Sequence, residues 1–133
     1  MGPTTLALLF VSASQMYDLP PGLLSAVCYV ESKHTVGAMH RGDGHSDSIG
    51  ICQIKLETAR FFHFKGTAEQ LQDPTTNIKY AAAYLRYQTF RYKCDFKKAV
   101  AAYNAGRYNK NMKGLPRNNQ YVTKVFTAWG EGR

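Results

Sequence analysis

Glu31 closes an apolar run, Leu23-Leu24-Ser25-Ala26-Val27-Cys28-Tyr29-Val30, and is the only carboxylate in the stretch CYVESKHTVG. At the C-terminal end of a helix the dipole disfavours negative charge. Apolar neighbours add a desolvation term, and both raise a carboxyl pKa. A carboxyl kept protonated near neutral pH can donate a proton to a leaving oxygen. Taken alone, Glu31 also reads as a surface glutamate that ends a helix, because Glu is rarely fully buried.

Two further stretches carry polar groups among apolar ones. In SDSIGICQI, Ser48 and Gln53 stand among Ile49, Ile51 and Ile54, and Gly50 allows close backbone approach. A glutamine amide held by apolar flanks can bind sugar hydroxyls or N-acetyl groups. In AVAAYNAG, Tyr103 and Asn104 fall just before Gly106. The plain alternatives are a turn leading into a half-buried segment, a core tyrosine and an asparagine serving a helix end. Asp43 and Asp47, in the polar stretch between Glu31 and Ser48, could act as a second carboxylate. His34, His40, His45 and His63 form no paired helical metal motif, and the three cysteines show no zinc spacing, so no metal or cofactor is expected. Neither Cys28 with His34 nor Cys52 with His45 sits in a thiol-enzyme signature.

Helices must position these groups. The spacing of Leu6, Leu9, Phe10, Ala13 and Met16 predicts a first helix over about 4 to 16. The same apolar segment is short enough for a secretory signal, but lacks the usual positive residues before Leu6. A second helix over about 21 to 31 carries Leu23, Leu24, Val27 and Val30 on one side. The polar, Gly-rich stretch that follows reads as a long loop or short hairpin, and loops of that length in compact domains usually serve function. Helix resumes from about 56. Thr67 and Gln70 fit a capping box, and Asp73-Pro74 ends that short helix. The longest helix is expected over about 75 to 92, with Ile78, Ala81, Ala82, Leu85 and Tyr92 as its apolar stripe. Asp95 caps FKKAVAAYN, which stops at Gly106. A last helix over about 119 to 129 turns Val122, Val125 and Trp129 inward. Strand alternation is not apparent, so the class is mainly α, a compact multi-helix domain over residues 1–133.

The chain has 133 residues, enough for one domain with a real core. Its net charge of +8, from 17 Lys and Arg against 9 Asp and Glu, favours a polyanionic partner: nucleic acid, an anionic membrane face or bacterial wall. No stretch approaches the roughly 20 apolar residues of a membrane span. Of Cys28, Cys52 and Cys94, at most two can pair within the chain. Cys28 and Cys52 lie in apolar surroundings that also suit buried free thiols.

Taken together the stretches change the reading. An acid-Ser pair, a G-x-x-Q about twenty residues on and an A-Y-N-x-G near the C-terminus resemble the catalytic domain of the family-one soluble lytic transglycosylases. The matching segments are LLSAVCYVES, DSIGICQI, TAR, GTAEQLQDPTTNIKYAAAYL and AVAAYNAGRY, in the family's order across roughly residues 5 to 129. The resemblance implies a lysozyme-like fold, α+β in class but mainly helical. It implies that Glu31 is a single catalytic acid/base, that Ser48 contacts the reacting muramoyl sugar, that Gln53 is the glutamine of the G-L-M-Q motif, and that Tyr103 and Asn104 are the A-Y-N pair beside the acid. The implied reaction cleaves the β-1,4 bond between N-acetylmuramic acid and N-acetylglucosamine and leaves 1,6-anhydro ends. Cys52 replaces the motif's usual Met, a soft apolar exchange expected to keep the packing.

Glycosidases normally use two carboxylates. Where the substrate's own 6-hydroxyl is the nucleophile, one carboxylate can act as acid and then base, with the proximity advantage of an intramolecular attack. The alternative is hydrolysis as in goose-type lysozymes, with Asp43 or Asp47 as the second carboxylate. A wall-binding module without activity is a further alternative. A nucleic-acid binder has only the charge in its favour. The implied partner is the peptidoglycan glycan strand, met in the periplasm or cell wall. The implied settings are a phage lysin, a virion-associated wall enzyme or a secretion or conjugation apparatus.

Overall fold

The computed structural model describes residues 2–42 and 46–133. Helix α1 spans Pro3–Met16, α2 Leu23–Ser32, α3 Leu56–Phe61, α4 Ala68–Leu71, α5 Pro74–Arg91, α6 Phe96–Ala105 and α7 Asn119–Gly130. Between α2 and α3 lies an antiparallel sheet of strands β1 (Met39–His40), β2 (Ser48–Ile49) and β3 (Ile54–Lys55) in the order β1-β2-β3. The expected helices are all present. The short hairpin expected in the loop is β1 with β2. Strand β3 was not expected, because strands of two residues are too short to leave an alternating pattern.

The local signals act as their chemistry requires. Pro3 opens α1, whose Phe10, Ala13 and Ser14 are buried, and the helix packs on α5. The Thr67 hydroxyl accepts from the Gln70 backbone N–H at 3.2 Å while the Gln70 side chain accepts from the Thr67 N–H at 2.8 Å, completing the capping box. Asp95 accepts from the Lys98 N–H at 3.2 Å, and Gly106 ends α6 at φ 86°. Helix α2 packs chiefly on α7, and α5 on α6. Leu23, Leu24, Val27, Ile51, Ile54, Ile78, Leu85, Val100 and Val125 form the fully buried centre. Trp129 is half-buried, and its indole N–H donates to the Pro21 carbonyl at 2.8 Å.

Cys28 and Cys52 are joined in a disulfide, and Cys94 is an exposed free thiol. Of the pairings and free thiols that the sequence leaves open, the structure has Cys28 with Cys52. Both side chains are fully buried, as expected, but the apolar site holds a covalent link between α2 and the turn after β2.

Candidate active site

Glu31 lies in the last turn of α2, and the turn between β2 and β3 carries Gln53. Several ties fix one against the other. The Cys28–Cys52 disulfide joins the two elements. The Ser32 hydroxyl, next to Glu31, donates to the Ile51 carbonyl at 2.6 Å. The Cys52 N–H donates to Asn77 Oδ1 of α5 at 2.8 Å, and the Cys52 carbonyl accepts from the Tyr103 hydroxyl of α6 at 2.8 Å. One residue is thus held by α2, α5 and α6. The buried Asn77 completes its hydrogen bonding by donating to the carbonyls of Ile49 and Leu71, both at 2.8 Å. Such supports fix the end of α2 against the turn that faces it.

Two cavities meet at Glu31. One, of about 300 Å³, is lined by Glu31, Ser48, Gln53, Tyr84, Tyr103 and Asn104, with Lys55 and Thr58 at its wall. The other, of about 420 Å³, is lined by Glu31, Asn104, Arg117, Gln120, Tyr121 and Lys124. Glu31 and Asn104 belong to both. Among the described residues, Glu31 is the only carboxylate in either lining. Its pKa is raised to about 7, first by burial; a hydrogen bond from Tyr121 and the nearby His40 oppose the rise. Burial accounts for the direction expected from the sequence. The hydroxyls of Tyr84, Tyr103 and Tyr121 are themselves pushed upward by burial, and the Glu31 charge adds to the effect in all three.

The structure brings together Glu31, Ser48, Gln53, Tyr103 and Asn104, the residues singled out in the sequence. Ser48 pairs in register with His40 and Lys55. Gln53 adopts a left-handed φ of 54°. Its amide braces the turn by donating to the Gly50 carbonyl at 3.0 Å and the Ala38 carbonyl at 3.3 Å, and its Oε1 lies 2.9 Å from His40 Nδ1. Asn104 Oδ1 accepts from the Asn118 amide at 2.9 Å. Asp47 is turned elsewhere: it pairs with Arg41 at 3.6 Å, accepts from the Gly42 N–H at 3.2 Å, and lines neither cavity. Asp43 lies outside the described residues.

Tyr121, Tyr84 and His40 were missed in the sequence. Tyr121 had a usable signal. It precedes Val125 by four positions and so shares the inward face of α7, and a buried tyrosine hydroxyl normally finds a partner. That the partner is Glu31 follows only from the packing of α7 on α2.

A mainly helical domain with a short three-stranded sheet, enclosing a cleft around a half-buried glutamate, is the lysozyme-like architecture. Within it the chain belongs to the transglycosylase SLT domain family, whose profile matches residues 9–124. Protein IpgF of Shigella flexneri is 30% identical over 103 residues, covering 76% of this chain and 67% of IpgF. The fold matches that of an inactive mutant of the lytic transglycosylase Slt from Pseudomonas aeruginosa, with a TM-score of 0.77 over 98% of this chain at 22% identity. The chain spans 24% of that protein's length.

Proposed function

We propose that this domain cleaves peptidoglycan glycan strands as a lytic transglycosylase, with Glu31 as its acid and base. The observation that carries the reading is one carboxylate among the described residues, its pKa raised to about 7 so that it still holds a proton part of the time near neutral pH, at the junction of two cavities that offer room for sugars on both sides of a scissile bond. Glu31 donates its proton to the glycosidic oxygen between N-acetylmuramic acid and N-acetylglucosamine as the bond from C1 breaks. The carboxylate then takes the proton of the muramoyl 6-hydroxyl as that oxygen bonds to C1. The products are an anhydro end and a free N-acetylglucosamine 4-hydroxyl; no water is consumed and the acid is restored.

In this reading the Ser48 hydroxyl and the Asn104 amide contact the sugars. Tyr103, whose hydroxyl is committed to Cys52, contributes its ring to the floor. Gln53 mainly holds the turn. The net charge of +8 suits an anionic wall, and the working place is the periplasm or cell wall. Hydrolysis would need a second carboxylate placed to activate water, and the ion pair of Asp47 with Arg41 gives that route no support.

The test is mass spectrometry of fragments released from purified peptidoglycan, beside a Glu31→Gln control. Anhydro-muramoyl ends, lighter by one water than reducing ends and absent with Glu31→Gln, are expected. Reducing ends would mean hydrolysis and turn attention to Asp43. Equal release by the control would remove Glu31 from the chemistry.

A further inference from the structure

A third cavity, of about 260 Å³, lies beside the cleft on α3 and α5, and shares Thr58, Tyr84 and Gly106 with the first. Its floor is aromatic. Phe61 at the end of α3 and Phe62 just after it meet each other edge to face at a centroid separation of 5.1 Å, and meet Tyr87 of α5 in the same way at 5.6 and 5.8 Å. Phe61 nevertheless stays 65% exposed and Tyr87 41% exposed. Rings that hold one another by their edges while keeping surface in solvent form an apolar patch of the kind that marks a ligand groove. Polar groups rim it. Glu57 is held ionised chiefly by a hydrogen bond from Ser46, and the Arg91 guanidinium is steadied by donating to the Gly106 carbonyl at 3.1 Å.

We propose that this ledge is an outlying subsite that takes a further N-acetylated sugar of the same glycan strand. The inference rests on the glycan-cleaving reading of the cleft. Pyranose rings present flat C–H faces that pack on aromatic rings and equatorial hydroxyls that need planar donors and acceptors; Phe61 and Tyr87 supply the first, Arg91 and Glu57 the second. Continuity with the first cavity through Thr58, Tyr84 and Gly106 favours the strand over a separate protein partner.

The test uses the full chain carrying Glu31→Gln, so that bound strands are not cut. Calorimetry compares an uncrosslinked glycan oligomer just long enough for the two cavities beside Glu31 with one two sugars longer. Extension is expected to tighten binding roughly three- to tenfold. Adding Phe61→Ala or Tyr87→Ala should abolish that gain and leave the short oligomer's affinity unchanged. Phe90→Ala, at a residue 76% exposed and outside the cavity, should keep it. An unchanged melting temperature confirms that each variant is folded. A length gain that survives both aromatic substitutions, or no length gain at all, would overturn the ledge and leave the cleft intact. Failure of the Glu31→Gln chain to bind either oligomer would overturn the glycan reading itself.

Discussion

The Tyr121 hydroxyl donates a 2.7 Å hydrogen bond to Glu31 Oε2, joining α7 to α2 across 90 positions of sequence. The bond acts against burial. Burial drives the Glu31 pKa upward, while a donor to the carboxylate favours the charged form. The residue therefore titrates near 7 as the balance of two opposed effects, and its orientation toward the cleft is fixed by the same contact.

Tyr121→Phe should unbalance the two. With burial unopposed, the pKa of Glu31 rises above about 7, by up to about one pH unit for a lost hydrogen bond of ordinary strength. A general acid works while protonated, so the alkaline limb of the rate profile should move to higher pH even as the maximum falls. The check is a pH profile of peptidoglycan cleavage for both proteins. A limb that stays in place would show that the bond only positions Glu31.

Glu31 should also leave a signature in stability. Its folded pKa of about 7 lies above the ordinary value of 4.5. Between those values the folded chain binds a proton that the unfolded chain does not, so stability falls as pH rises through this window. The contribution is fully present below about pH 4.5 and lost above about pH 7, on the order of 3 kcal/mol in all. Glu31→Gln removes the titration. It should be clearly more stable than the native chain at about pH 8 and similar to it at about pH 4, read from urea midpoints at the two pH values. Parallel pH dependence in the two proteins would contradict the burial argument.

Much of this arrangement was legible in the sequence. The helix ends were written in Thr67, Asp73, Asp95 and Gly106, whose side chains or backbone freedom act locally. The placement of Glu31 after an apolar run signalled the direction of its pKa. What was not legible depends on contacts between distant segments. Nothing near Cys52 in sequence indicates that Cys28, Asn77 and Tyr103 converge on it. Asn77 sits among the apolar positions of α5 and looks like an exception until its three hydrogen bonds are seen. That Gln53 spends its amide on the Gly50 and Ala38 carbonyls and on His40 while still lining the cavity was not legible either, because a glutamine amide can serve protein or substrate.

The disulfide predicts a thiol count and a stability loss. A thiol reagent should find one reactive group, Cys94, before and after denaturation without reductant, and three after reduction. Replacing Cys28 and Cys52 together by Ser opens a loop of 24 residues, and the loss should be about 3 kcal/mol by chain entropy. Because the link also anchors the Gln53 turn, cleavage activity should fall even where the variant remains folded. Three reactive thiols in the native protein would rule the pairing out.

Gly50 and Asn77 should behave as a coupled pair. Gly50 has a φ of 81°, and a Cβ there would overlap the Asn77 side-chain amide. Gly50→Ala therefore meets both a left-handed backbone and a steric clash, and should lose roughly 2–4 kcal/mol. Asn77→Ala leaves the Cys52 N–H and the carbonyls of Ile49 and Leu71 without their partner, a loss of similar size. In the double variant the clash disappears, because the amide that the new methyl group would strike is gone, while the backbone strain and the unmet hydrogen bonds remain. The two losses should then fall short of additivity by about 1 kcal/mol or more. Urea denaturation of the native chain, the two single variants and the double variant measures this directly. Strict additivity would mean that the turn yields to the new Cβ without involving Asn77, and that the Gln53 turn is held mainly by the disulfide and Tyr103.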